Sequence, residues 1–205
     1  MKHHTHTPKI AKIGIACGLI SSLLLLGATA ARADFIDYQV NGSHHQHGVS
    51  SFTSGGARYT KAGNLETFEH LNTTCNRVEH DTDVHYKTGV HTFTGDLKIG
   101  TVTNTICVQI FNAPASGPII FLRASSAAGG TLKKYGGGQT VATGISGKFI
   151  AVKIVHDLNA NTIKISINGS QKINVAGGKG GSFNLKYGNY GTGAPTKTQW
   201  RDANW

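Results

Sequence analysis

Beyond residue 33 the apolar positions recur at every second residue, and no helical spacing persists beyond two turns. The alternating or β-branched runs are Phe35–Val40, Thr67–Leu71, Arg77–His80, Val90–Ile99 and Ile106–Phe111, followed by Ile119–Ala124, Phe149–Val155, Thr162–Ile167, Gln171–Val175 and Phe183–Tyr190. Alternation of this kind predicts strands with one face on a core. Turn signals separate the runs: Asn41-Gly42, Ser54-Gly55-Gly56, Gly129-Gly130, Gly136-Gly137-Gly138, Asn168-Gly169 and Gly177-Gly178. Asn168-Gly169 predicts a two-residue hairpin, because a type I′ turn needs positive φ at both central positions. Many short strands with glycine-rich turns predict an all-β fold, a sandwich or β-jelly roll of antiparallel sheets. With no linker and no repeat, residues 34–205 read as a single domain.

The leading 33 residues break this pattern. Met1 to Arg32 contains no acidic residue, Lys2, Lys9 and Lys12 open it, and Ile13 to Ala28 is an apolar run. Ala31-Arg32-Ala33 then offers small residues before Asp34. This is the layout of a secretory signal peptide with its cleavage site. An uncleaved anchor is the alternative, but the run is short for the ~20 residues of a membrane span. Cys17 lacks a Leu three residues before it, which argues against a lipoprotein site. The expectation is a secreted or periplasmic protein, free of the membrane after cleavage and monomeric.

Composition narrows the class. Glycine is 27 of 205 residues and charged residues are 15%, which excludes a coiled coil. Plentiful β-branched and aromatic residues argue against disorder, and glycine lacks the three-residue period of collagen. Removal of Lys2, Lys9, Lys12 and Arg32 leaves sixteen Lys and Arg against ten Asp and Glu, a net charge of +6. A basic surface concentrates a polyanion. No basic stripe interleaved with aromatics points to nucleic acid. Two cysteines remain, Cys75 and Cys107. In an exported chain they predict one disulfide between two strands. Metal binding is the weaker alternative, since neither has a C-x-x-C partner.

Three segments carry candidate chemistry. In Asn76-Arg77-Val78-Glu79-His80 a strand puts Arg77 and Glu79 on one face and His80 on the other. An arginine held by a glutamate can bind a sugar acid, or the two can form a surface ion pair of little consequence. In Cys107-Val108-Gln109-Ile110-Phe111, Val108 and Ile110 face the core, so Gln109 and Phe111 face out. Gln109 is then either a ligand for a carboxylate or hydroxyl or an ordinary solvent-facing side chain. In Leu185-Lys186-Tyr187-Gly188-Asn189-Tyr190, Lys186, Gly188 and Tyr190 share a face. The glycine leaves room for a ligand near the backbone, and a phenol beside cations suits proton transfer. The bland alternative is an aromatic ring packed on a glycine.

In this order the segments resemble the alginate-lyase-like polysaccharide lyases, polysaccharide lyase family seven and its relatives, with a concanavalin A-like β-jelly roll. That family carries an Arg-x-Glu strand, a Gln-Ile-His strand and a Tyr-Phe-Lys-x-Gly-x-Tyr strand. The matching stretches here are Arg77-Val78-Glu79, Gln109-Ile110-Phe111 and Leu185 to Tyr190. Gly89 to Ile99 and Phe149 to Val175 fit the same fold, so the likeness runs from about Ala57 to Trp205. One departure stands out: Phe111 occupies the place of the family's histidine.

The resemblance implies β-elimination on a uronic-acid polymer, alginate- or glucuronan-like, with no cofactor and no metal. It implies that Gln109 and Arg77 neutralise the uronate carboxylate and that Tyr190 transfers the proton. Lys186 and Glu79 would orient the sugar or hold Arg77, Arg123 would add a positive wall, and Phe111 would line the site. His80 and His91 are the candidates to replace the missing histidine, with His85 behind them. His44, His45 and His47 read as a polar loop first and a weak metal site second. The alternative function is a non-catalytic carbohydrate-binding module of the same fold, which Phe111 favours. A glycoside hydrolase would need two carboxylates across a cleft, and no such pattern is present.

Overall fold

The structure, a computed structural model, describes residues 34–205 apart from 114–116, 137, 179 and 192. The expected signal peptide, its cleavage site and Cys17 lie outside the described residues. The chain forms β1 (Phe35–Val40), β2 (Ser43–Gly48), β3 (Phe52–Ser54), β4 (Ala57–Ala62), β5 (Leu65–His70), β6 (Cys75–Asp81), β7 (Val90–Ile99) and β8 (Thr105–Asn112). There follow β9 (Gly117–Ser125), a short 3-10 turn (Ala127–Gly129), β10 (Thr131–Lys134), β11 (Thr140–Thr143), β12 (Phe149–Asp157), β13 (Thr162–Ile167), β14 (Ser170–Ala176), β15 (Phe183–Tyr190) and β16 (Thr196–Asn204).

These strands make two antiparallel sheets of eight, with orders β11-β10-β9-β8-β15-β6-β1-β2 and β14-β13-β12-β7-β16-β5-β4-β3. The expected all-β jelly-roll sandwich is the fold observed. Ile36, Val78, Val108, Ile110, Leu122 and Leu185 face inward from the first sheet, and Phe68, Phe93, Leu97, Ile154, Ile165 and Trp200 from the second. Burying these side chains, at roughly 1.5–3 kcal/mol each, is what holds the sheets face to face. Asn168 and Gly169 have φ of 49° and 78° and join Ile167 to its partner Ser170. The predicted tight hairpin is therefore present.

Two expectations are corrected. The stretch from Ser43 to Gly48 is strand β2, paired along its length with β1, and not a loop. The alternation of the strand separates His44 from His45 and His47. His45 stacks on Tyr38 and His47 on Phe52, at 5.0 and 4.5 Å, so the three imidazoles do not converge on a metal.

The second correction is the disulfide. Cys75 and Cys107 are buried free thiols. Cys75 lies on β6 and Cys107 on β8, and β15 runs between those strands. Two strand spacings are about 9.5 Å, beyond the ~7 Å limit for bridged Cα atoms. Burial pushes the Cys75 thiol up to about 11 and the Cys107 thiol up further.

Candidate functional site

The first sheet turns one face to the core and the other outward. Its three central strands carry the predicted chemistry on the outward face. Cross-strand partners share a face, so the register places the residues in rows. Lys186 on β15 is opposite Asp81 on β6 and Gln109 on β8. Tyr190 is opposite Arg77 and Ile106. Arg77, Gln109, Phe111, Lys186 and Tyr190 line one cleft of about 410 Å³ with His44 and Pro118, and Glu79 lies beneath it. Three segments far apart in sequence are thus brought together.

Glu79 is fully buried. The Gln109 amide nitrogen donates to its two oxygens at 2.8 and 3.1 Å, and the Arg77 Nε lies 3.5 Å away. Arg77 also donates to Asp37 at 2.9 Å, and its guanidinium sits 4.2 Å above the Tyr190 ring. The Lys186 ammonium pairs with Asp81 at 2.7 Å and reaches Asp37 at 3.5 Å. It also lies 5.7 Å over the Phe111 ring. Arg77 and Glu79 are therefore part of a buried network and not a surface ion pair.

Burial pushes the Glu79 carboxyl up to about 7, against the pull of Arg77 and Lys186. Asp37 is raised by burial too, but the hydrogen bond from Arg77 and the charge of Lys186 bring it below the usual carboxylate range. Burial would lower Lys186, yet Asp81, Glu79 and Asp37 hold it above the ordinary lysine value. With Glu79 protonated, the two cations and two remaining carboxylates balance. A bound uronate is then the third carboxylate around the two cations, where an ionised Glu79 would make it the fourth.

The proposed substitute histidines lie elsewhere. His80 points from β6 into the sandwich, as alternation requires. Its Nδ1 is 2.7 Å from the Tyr187 hydroxyl and 3.2 Å from Glu66. His91 sits on β7 of the other sheet, stacked on Tyr86 at 3.8 Å and bonded to the Thr88 carbonyl. His85 lies in the β6–β7 connection, 3.8 Å from Asp83. Arg123 shares the sheet face but lines a neighbouring cavity rather than this cleft.

Gly188 does not open a gap for a ligand. A Cβ there would come within 2.5 Å of the Val78 carbonyl and 3.0 Å of the buried Phe68 ring. It is glycine because β6 and the core press on it.

From sequence alone neither Asp37 nor Asp81 has a site role, and His44 is marked only as a loop residue or a weak metal ligand. Alternation in Phe35–Val40 already put Asp37 opposite Ile36 and Tyr38. Its role depends on β1 pairing with β6, which local sequence does not announce. His44 Nδ1 is 3.5 Å from Asp37, and among the described residues it supplies the one imidazole on the cleft wall. Among the described residues no group of three or more His, Cys, Asp or Glu is placed to hold a metal ion.

No family model matches the chain. A stretch of 91 residues is 33% identical to the citrate-binding protein of Hevea brasiliensis, covering 44% of this chain and 37% of that protein. The match thus spans little more than a third of the relative's length. Among solved structures, the marine PL7 alginate lyase AlyA1 of Zobellia galactanivorans superposes with a TM-score of 0.63 at 16% identity, over 85% of this chain and 94% of that one. The alginate lyase of Corynebacterium sp. gives 0.64 at 11% identity, over 84% and 92%. Alginate lyase AlyC3 in complex with dimannuronate gives 0.63 at 11%, over 85% and 88%. The protein has an alginate-lyase-like jelly-roll fold.

Proposed function

We propose that the protein is an exported polysaccharide lyase that cleaves a uronic-acid polymer by β-elimination. The observation that carries this reading is the convergence of Arg77, Gln109, Lys186 and Tyr190 on one cleft over a sheet of the lyase fold. Export rests on the leader before Asp34 and the substrate class on the cations and the lyase neighbours.

The chemistry follows from the groups. The C5 hydrogen of a uronate is hard to remove while the adjacent carboxylate is fully charged. Arg77 and Lys186 neutralise it and stabilise the enolate-like intermediate. Gln109 has its amide nitrogen committed to Glu79, so its oxygen is the atom left to accept from a sugar hydroxyl or a protonated carboxyl. Tyr190, held by the Arg77 guanidinium on its ring, takes the C5 proton as phenolate. The C4–O bond then breaks, a C4–C5 double bond forms, and the departing oxygen recovers a proton from the same phenol. His44 is the imidazole that takes the place left by Phe111, and Asp37 orients it.

The test is product absorbance. Unsaturated uronates absorb in the ultraviolet, so alginate, polymannuronate, polyguluronate, glucuronan and pectate are offered in parallel. We expect a rise on at least one polymer. Tyr190→Phe lowers kcat by about 100-fold or more, and His44→Ala by at least about tenfold, the scale of lost acid–base groups. A flat trace on every polymer would overturn the reading.

A second reading is capture of a free multivalent carboxylate such as citrate, without catalysis. The match to the citrate-binding protein favours it, and Arg77 and Lys186 suit it equally. Citrate binding with no product from any polymer would select it.

A further inference from the structure

Beside the cleft, on the same outward face, lies a larger cavity of about 580 Å³ whose lining includes Asn104, Arg123, Lys133, Lys134 and Tyr135. Its electrostatics are the reverse of the central site. Arg77 and Lys186 are held by three carboxylates, whereas among the described residues no Asp or Glu lines this cavity. Among the described residues neither Arg123, Lys133 nor Lys134 makes an ion pair with a carboxylate. Among the described residues Arg123 donates its one side-chain hydrogen bond to the Asn104 amide oxygen at 3.1 Å, and its buried Nε has no partner. The Lys134 ammonium reaches the Gly136 carbonyl at 3.5 Å.

The cavity also carries an aromatic ring, Tyr135, backed by Phe121, which is not itself part of the lining. Phe121 and Tyr135 stack at 4.4 Å and 19°. The Arg123 guanidinium lies 4.4 Å from the Tyr135 centroid, and Tyr135 remains 53% exposed. A rigid ring with open surface beside unpaired cations suits a sugar that carries a carboxylate: the ring takes the apolar face of the pyranose and the cations take the acid.

Register fixes where this platform stands. Ile106 is opposite Tyr190 on one side and Arg123 on the other. Arg123 is therefore level with Tyr190 and two strand spacings away, about 10 Å, a gap that a short oligosaccharide bridges. We infer that the Arg123–Lys133–Lys134–Tyr135 cavity is a second binding site for an acidic sugar, engaging the same chain as the central cleft but remote from the reacting bond. This rests on the reading of the protein as one that takes a uronate polymer.

The experiment is calorimetric titration with hexamers of mannuronate, guluronate and glucuronate, all in a Tyr190→Phe background so that ligand is not consumed. Lys133→Ala/Lys134→Ala is expected to raise Kd for the preferred hexamer about tenfold, a change equivalent to ~1.4 kcal/mol. Lys153→Ala/Lys164→Ala removes the same charge from the opposite sheet, where both side chains are exposed, and is expected to stay within about twofold. Tyr135→Ala weakens binding, and Tyr135→Phe restores it. Equal weakening by the two lysine pairs, an unchanged Kd in the first pair, or no binding of any hexamer overturns the inference. Product formation in protein with Tyr190 intact is scored separately. Elimination without dependence on the second cavity sinks this inference and leaves the lyase reading standing. Cavity-dependent binding without elimination does the opposite.

Discussion

Glu79 has no exposed surface, a cation on either side and an amide bonded to its oxygens, and its carboxyl is nonetheless pushed up to about 7 by burial. An acid that is harder to ionise folded than unfolded holds its proton longer in the native state. Stability therefore falls as pH rises from the ordinary carboxylate range to above 7, by at most about 3 kcal/mol. His70 and His156 are lowered by burial and work in the opposite sense below their usual value, so a bare stability profile mixes the two. Comparison with Glu79→Gln separates them. Urea unfolding should show wild type losing ground to the variant between about pH 5 and 8, and a gap independent of pH would refute this assignment. Affinity for a uronate should weaken over the same range, because a second carboxylate beside ionised Glu79 is repelled. The outward set Arg77, Glu79, Gln109, Phe111, Lys186 and Tyr190 was legible, because alternation alone decides which side chains leave the core. Asp37 and His44 were not, because their places depend on which strands pair.

The same limit acts on whole strands. The ten runs read from alternation are all strands, yet β2, β3, β4, β10, β11 and β16 were not read. In β16 the inward positions are Thr196, Thr198 and Trp200, so a strand between β5 and β7 carries threonines where aliphatic residues would have announced it. In β2 every position is polar or glycine, as an edge strand allows. Strand β15 shows the converse, a glycine read as an opening that is in fact a point of close packing. Gly188 has φ of 147°, and its missing side chain is replaced by the Val78 carbonyl and Phe68. Gly188→Ala should cost about 1–3 kcal/mol, the usual range for overpacking, measurable as a lower denaturation midpoint with an unchanged slope. Because Lys186 and Tyr190 flank it on the same strand, uronate affinity should fall with it. A variant as stable as wild type would show that β6 yields without strain.

At the scale of the molecule, the two cysteines that follow the expected leader suggested a staple, and the topology removes it. Strand order is set by pairings between segments far apart in sequence: β15 enters between β6 and β8 although at least seventy residues separate it from either. The insertion brings Lys186 and Tyr190 between Arg77 and Gln109, and the same insertion holds Cys75 and Cys107 apart. The arrangement that assembles the cleft therefore forbids the bridge, and stability has to come from the two packed sheets. Reductant should leave Tm unchanged. Alkylation followed by mass analysis should label both thiols only after unfolding, since burial keeps the folded-state thiolates scarce, with Cys75 at about 11 and Cys107 higher still. A mass lower by two hydrogens together with a Tm that drops on reduction would mean that β6 and β8 approach one another directly. In that case Lys186 and Tyr190 could not stand between Arg77 and Gln109, and the cleft itself would have to be redrawn.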